Sequence, residues 1–261
     1  MPIHPGQDKT VERLLEGVHR GEFVKPSFQR KFKWQPNQVV DLLASVAFNY
    51  FSGLLLFWEI DNDAEQRITF EHLEGAKKSD HVNFAILDGQ QRLSSLYYAI
   101  YKPDHMFPNT SSYYVFYLDI EARYHNELEN SISYYRPKRQ PTSIKNLKSV
   151  KDKYIEELKF PLALLSDENF KKEELEDWKY KYALKWYDKC HTVNNKDNEQ
   201  KTQWIVDRMQ DIGKYISTIL NYKFTTHVLG KENSMEDVSI MFALLNEVVI
   251  IIMPHIFEAQ F

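Results

Sequence analysis

The sequence predicts an α/β fold with one mixed core and a helical insertion in its second half. Three observations carry that expectation. Over the first 120 residues, short apolar runs of strand length alternate with apolar residues at helical spacing. From about 126 to 222 the chain turns charge-rich and helix-spaced. A strand-length and a helix-length segment then close the pattern at about 223–250. All 261 residues are therefore expected to form a single domain, with a core of about 10–125 and 223–250 around a basic linker and helical insertion at about 126–222.

Each element has its own signal. Thr10 opens a short amphipathic helix through Leu14, Leu15 and Val18, and Gly17 and Gly21 are stop signals. Phe23 to Trp34 reads as extended, interrupted at Pro26. Pro36 suits the first turn of a helix carrying Val39, Val40, Leu42, Leu43 and Val46. Leu54 to Ile60 is a short continuous apolar run, as in a strand covered on both faces. Asn62 and Asp63 predict a turn, Ile68 to Leu73 a return strand, and Val82 to Asp88 another strand. Leu93 to Tyr101 has helical spacing and Tyr113 to Ile120 is strand-like. In the second half, Asp167 to Tyr182 is helix-like, Asn194 to Gln200 a polar loop, and Thr202 to Asn221 a long amphipathic helix. Phe224 to Leu229 and Met235 to Asn246 supply the closing strand and helix.

Composition excludes several function classes. No two of the 8 glycines lie closer than Gly17 and Gly21, so neither G-x-G-x-x-G nor G-x-x-x-x-G-K-[ST] can be written. A Rossmann site and a Walker P-loop are out. The single cysteine, Cys190, excludes an internal disulfide and a cysteine-based zinc cluster, and fits a reducing, cytoplasmic location. The longest apolar run, Val248 to Met253, is six residues, far short of the ~20 of a membrane helix, and no signal peptide is expected. Net charge is −4, so the chain as a whole is not a nucleic-acid coat.

The residues most able to carry chemistry are Asp88, Gly89, Gln90, Gln91 and Arg92. A buried strand there delivers an acid, a glycine allows a tight turn, and a helix starts at once. A helix start offers unpaired N–H groups and partial positive charge to a phosphate. Arg92 can clamp phosphate oxygens, Gln90 and Gln91 add neutral donors, and Asp88 can hold a divalent cation or orient water. The plainer alternative makes Asp88 a helix cap and Arg92 its ion-pair partner. A second segment, Phe28 to Val39, sets Arg30, Lys31 and Lys33 among Phe28, Phe32 and Trp34, with Lys25 just upstream and no acid before Val40. That suits a polyanion beside a stacking platform, or an edge strand with a solvated basic face. Arg136 to Lys153 holds seven Lys or Arg and one acid, and could meet DNA phosphates or only water. Glu59, ending a buried strand, is a conceivable partner of Asp88 at a shared cation. The nine histidines show no zinc spacing; Asp104/His105 and His191 read as loop residues.

Taken together, F-Q-R-K-F-K-W-Q-P-N-Q-V, the following L-L-x-S-V helix, G-L-L-L-F-W-E and I-L-D-G-Q-Q-R-L-S-S-L resemble the N-terminal domain of GmrSD-type restriction systems (domain of unknown function 262). The match runs from about Phe23 to Tyr101. The resemblance implies a ParB/sulfiredoxin-like core, a small mixed sheet with flanking helices. It also implies Mg²⁺-dependent binding and hydrolysis of a nucleoside triphosphate that regulates a DNA-cleaving nuclease domain or subunit in phage defence. By position it implies a nucleotide site of Gln29, Arg30, Gly89, Gln90, Gln91 and Arg92, with Trp34 as a stacking residue, Asp88 and Arg92 as catalytic groups, and Asp88 at the metal. Relatives end the domain with roughly F-x-R-I-N-S-G-G; this chain keeps Phe242 and Asn246, has Leu244 in place of the arginine, and lacks the glycines. No His-Asn-His nuclease pattern follows. Two rival readings stay open: a DNA-binding or DNA-modification-sensing module with a degenerate nucleotide site, and a remnant that only folds and oligomerises.

Overall fold

A computed structural model describes residues 3–5, 7–60, 69–101, 105–137, 151–166, 172–191, 198–234 and 236–241. The chain begins with two short strands, β1 (Ile3–Pro5) and β2 (Lys9–Thr10). Thr10 then caps helix α1 (Val11–Arg20), its side-chain oxygen accepting from Arg13 N at 3.3 Å, while Val11, Leu14, Leu15 and Val18 are buried along one stripe. Strand β3 (Phe23–Pro26) follows, and Pro36 opens helix α2 (Pro36–Ala47), where Gln38 Oε1 accepts from Gln35 N at 2.9 Å.

Strand β4 (Leu55–Glu59), strand β5 (Phe70–His72), strand β6 (Phe84–Asp88) and helix α3 (Gln90–Tyr101) complete the frame of the first half. Next come strand β7 (Val115–Asp119), short helices α4 (Ile120–Tyr124) and α5 (Leu128–Ser131), and strand β8 (Ile132–Tyr135). Helix α6 (Lys151–Glu156), strand β9 (Lys159–Pro161), a 3-10 turn at Leu162–Leu165 and two long helices, α7 (Lys172–Cys190) and α8 (Asn198–Asn221), fill the second half. Strands β10 (Lys223–Phe224) and β11 (Thr226–Leu229) precede a helical stretch at 236–241.

The six-stranded mixed sheet has the order β1-β11-β4-β6-β3-β5, with β11/β4 and β3/β6 parallel and the other neighbours antiparallel. Both faces are covered. Phe23, Leu55, Phe57 and Ile86 join the large core shared with α1, α2 and α3. Val24, Leu56, Trp58, Ala85, Leu87 and Leu229 form a smaller core with Val238 on the other face. This double burial is why the run at 54–58 is continuously apolar rather than alternating. Strands β10 and β2 pair separately.

The mixed α/β class stands. The segment expected to be only a basic linker and helical insertion also gives two strands: β8 and β9 flank β7 in an antiparallel three-stranded sheet. Each is at most four residues long, too short for a clear two-residue period to show in sequence. Helix α7 runs eight residues past Tyr182, because Trp186 and Tyr187 are buried against the core. Helix α8 begins at Asn198, inside the expected polar loop. The expected turn at Asn62–Asp63, most of the Arg136–Lys153 run, Asp104, and the closing helix beyond Met241 lie outside the described residues.

Candidate functional site at the end of strand β6

Strands β6 and β4 pair antiparallel with Leu56 opposite Asp88 but Phe57 opposite Ile86, so Leu87 is an extra residue, a bulge beside the strand end. On the other side β3 pairs with β6 only through Phe23–Phe84 and Val24–Ala85. The backbone carbonyls left there are taken by a side chain. Gln29, buried, donates through Nε2 to Ile86 O at 2.6 Å and to Leu87 O at 3.1 Å. Its amide thus substitutes for a missing strand and ties the 28–34 segment to the end of β6.

The turn after β6 demands glycine. Gly89 has φ +93°, and a Cβ there would come within 2.2 Å of Leu55 Cδ2. Leu93 N donates to Gly89 O at 3.0 Å as the first helical bond of α3, leaving the N–H groups of Gln90, Gln91 and Arg92 without an intrahelical acceptor. Gln91 faces the basic segment and holds it by its backbone. Its Oε1 accepts from Lys33 N at 2.8 Å and Trp34 N at 3.4 Å; its Nε2 donates to Gln90 Oε1 at 3.0 Å and Lys31 O at 3.4 Å. Asn109 pins the same segment from elsewhere by donating to Phe32 O.

Arg92 is committed on two sides. One guanidinium nitrogen pairs with Asp88 Oδ2 at 2.9 Å, and another donates to Ser52 O at 3.0 Å. The loop there is shaped to the arginine: Gly53 has φ +85°, and a Cβ would overlap Arg92 at 2.0 Å. The arginine side chain is 17% exposed and the aspartate 49%. The sequence signals Gly53 only as the end of a turn; that Ser52 and Gly53 wall this arginine is a fact of the fold. The plainer alternative for Asp88 is half met, since the ion pair forms, but Gly89 rather than Asp88 immediately precedes the helix.

Phe28, Gln29, Arg30, Trp34 and the 87–92 turn enclose an open cleft of about 350 Å³, within the range of small-ligand sites. Every residue expected at the site therefore meets in one place. Their roles differ. Gln29 and Gln91 spend amide groups on backbone, whereas Arg30 and half of Phe28 remain exposed at the wall. The arrangement offers an exposed guanidinium, a helix start and a carboxylate, a combination suited to a phosphorylated ligand.

Glu59 is corrected. Because β4 runs antiparallel to β6, Glu59 stands opposite Phe84, at the far end of the sheet from Asp88, and shares no cation with it. Among the described residues no group of three or more His, Cys, Asp or Glu gathers as a metal site. His191 stacks on Tyr187 at 4.2 Å and meets Trp204 edge-on. Cys190 is exposed. Of the basic candidates, Lys25 is ion-paired to Glu71 at 2.7 Å, and the hydrogen bond from Lys25 holds the Glu71 carboxyl below its usual range. Arg136 donates to Ser112 Oγ at 2.6 Å, and Lys153 lies 4.0 Å from Glu157. No described helix is long and apolar enough to cross a membrane.

A family model described as "GmrSD restriction endonuclease, N-terminal domain" matches residues 11–248. An uncharacterized protein of Methanocaldococcus jannaschii is 28% identical over 260 residues, covering 95% of this chain. The chain spans 40% of the length of that curated relative.

Proposed function

The chain belongs to the GmrSD restriction endonuclease N-terminal domain family, and on that premise we propose that it binds a nucleoside triphosphate in the Asp88–Arg92 cleft and hydrolyses it. In this reading it is the regulatory domain of a restriction system, acting on a nuclease domain or subunit. The single observation that carries the ligand assignment is the convergence of Arg30, the Gly89 turn and the start of α3 on one open cleft.

Binding and positioning follow from the geometry. Arg30 meets phosphate oxygens as an exposed planar donor. The N–H groups at the start of α3 add fixed dipoles that need no reorganisation when charge develops. Arg92, anchored by Ser52 O, keeps Asp88 in place, and the two contacts together fix the orientation of its guanidinium at the cleft wall. Gln29 and Gln91 are positioning residues, because they hold the wall through its backbone. Asp88 and phosphate oxygens would hold Mg²⁺, which would neutralise charge on the transferred phosphoryl group.

DNA contact is the second reading. It rests on the exposed Arg30, Lys31 and Lys33 beside Phe28, while Lys25, Arg136 and Lys153 have partners within the chain. Phosphate release tests the first reading. The purified chain with Mg²⁺ should release phosphate from a nucleoside triphosphate, and Asp88→Asn should cut turnover by about 10²-fold or more while changing nucleotide affinity far less. Absence of Mg²⁺-dependent release above background would remove hydrolysis and leave binding alone to stand.

A further inference from the structure

The 28–34 segment has a cleft on each side. Phe28, Arg30 and Trp34 line the first, whereas Lys31 and Phe32 line a second of about 390 Å³, and Gln90 lines both. The consecutive residues Arg30 and Lys31 thus serve different clefts across one dividing segment, which Gln91 and Asn109 hold in place.

The two clefts differ in chemistry. The first gathers Arg30, Arg92 and a helix start around a single carboxylate. In the second, Lys25 is paired with Glu71, Lys31 balances the Glu74 carboxylate, and the remaining lining includes the Ser94 hydroxyl, the Asn109 amide and the apolar Phe32, so this cleft carries no excess of positive charge. Carboxylates repel phosphates but accept hydrogen bonds from a ribose diol. Hydroxyl and amide groups match the mixed donor and acceptor edge of a nucleobase, and Phe32, otherwise packed against Phe107, bounds the cleft with Pro108 as apolar surface.

A nucleoside triphosphate has the same division, a polyanion joined to a neutral heteroaromatic base on a sugar. Resting on the triphosphate reading above, we propose that the second cleft is the nucleoside subsite. Glu74 accepts from the ribose hydroxyls, Ser94 and Asn109 meet the base edge, and the phosphates cross beside Gln90 to Arg30 and the start of α3. Glu74 fixes the direction, since the reverse placement would set phosphates against its carboxylate and away from Arg30 and the start of α3.

Calorimetric titration of the chain with inorganic tripolyphosphate and, separately, with each of the four common ribonucleoside triphosphates tests this. Wild type should bind tripolyphosphate, and its best nucleotide more tightly; the ratio of the two affinities measures the nucleoside contribution. Glu74→Gln, an exposed site that does not threaten folding, and Ser94→Val should each weaken nucleotide binding about tenfold and leave tripolyphosphate affinity unchanged. A 2′,3′-dideoxy nucleotide should show little further loss in Glu74→Gln. A nucleoside contribution that survives both substitutions overturns the subsite, as does its loss in Trp34→Ala alone, which would put the base in the first cleft. If wild type binds neither tripolyphosphate nor any nucleotide, the triphosphate reading itself falls and takes the subsite with it.

Discussion

The cleft at the end of β6 and the helix pair α7–α8 are held by different forces. In the helix pair the contacts are between faces and edges of rings. Trp178, fully buried, meets Phe160 edge-on with centroids 6.1 Å apart and Tyr182 at 5.9 Å. Arg208 lies over Tyr124 at 4.5 Å and Trp204 at 5.5 Å. Such contacts depend on area and fit, and their energy is spread over many atoms. At the cleft the contacts are few and directional: one glutamine completes β6, another holds the basic segment by its backbone, and one arginine bridges an acid and a carbonyl. The difference teaches where function can be read. Damage to the helix pair should appear as lost stability with the ligand site intact; damage at the cleft should appear as lost ligand binding out of proportion to lost stability.

The largest expected effect lies in the helix pair. Trp178→Ala removes a fully buried ring and should cost about 3–5 kcal/mol of folding stability. At a temperature where the variant remains folded, its triphosphate affinity should match wild type; a fall in affinity beyond the unfolded fraction would dissolve the contrast. Gln91→Leu is its counterpart at the cleft. It should cost about 1–3 kcal/mol in stability, because the backbone groups of Lys31, Lys33 and Trp34 lose a partner. Triphosphate binding should nevertheless fall by at least tenfold, since the segment that carries Arg30 is released. Chemical denaturation and calorimetry on the same preparation separate the two quantities.

Much of this site was legible because its signals are local. Gly89 between a buried strand and a helix, with Arg92 in the first turn, specifies a strand–turn–helix from adjacent residues alone, and the structure forms it. The 28–34 segment was legible as basic and aromatic, but its contact with β6 and α3 was not. That contact runs through side-chain amides to backbone at separations of 57 to 60 residues, and such bonds leave no periodicity. Gln29 shows the limit plainly: its place in the family motif implies a ligand contact, while its position in the fold makes it a surrogate strand. The same limit explains Glu59, whose place relative to Asp88 depends on the direction of β4 against β6, which neither strand's own residues reveal. The short strands β8 and β9 were hidden among charged residues for want of length.

The central claim is that the cleft walled by Arg30 and the Asp88–Arg92 turn is the site of a triphosphate. Calorimetric titration of wild type and Arg30→Ala with a nucleoside triphosphate tests it most directly, because Arg30 is exposed and its loss should leave the fold intact. The account predicts a loss of about 1.5–3 kcal/mol in binding, as for a charge-assisted hydrogen bond to phosphate, with an unchanged denaturation midpoint. Undiminished affinity in a folded Arg30→Ala protein would contradict it.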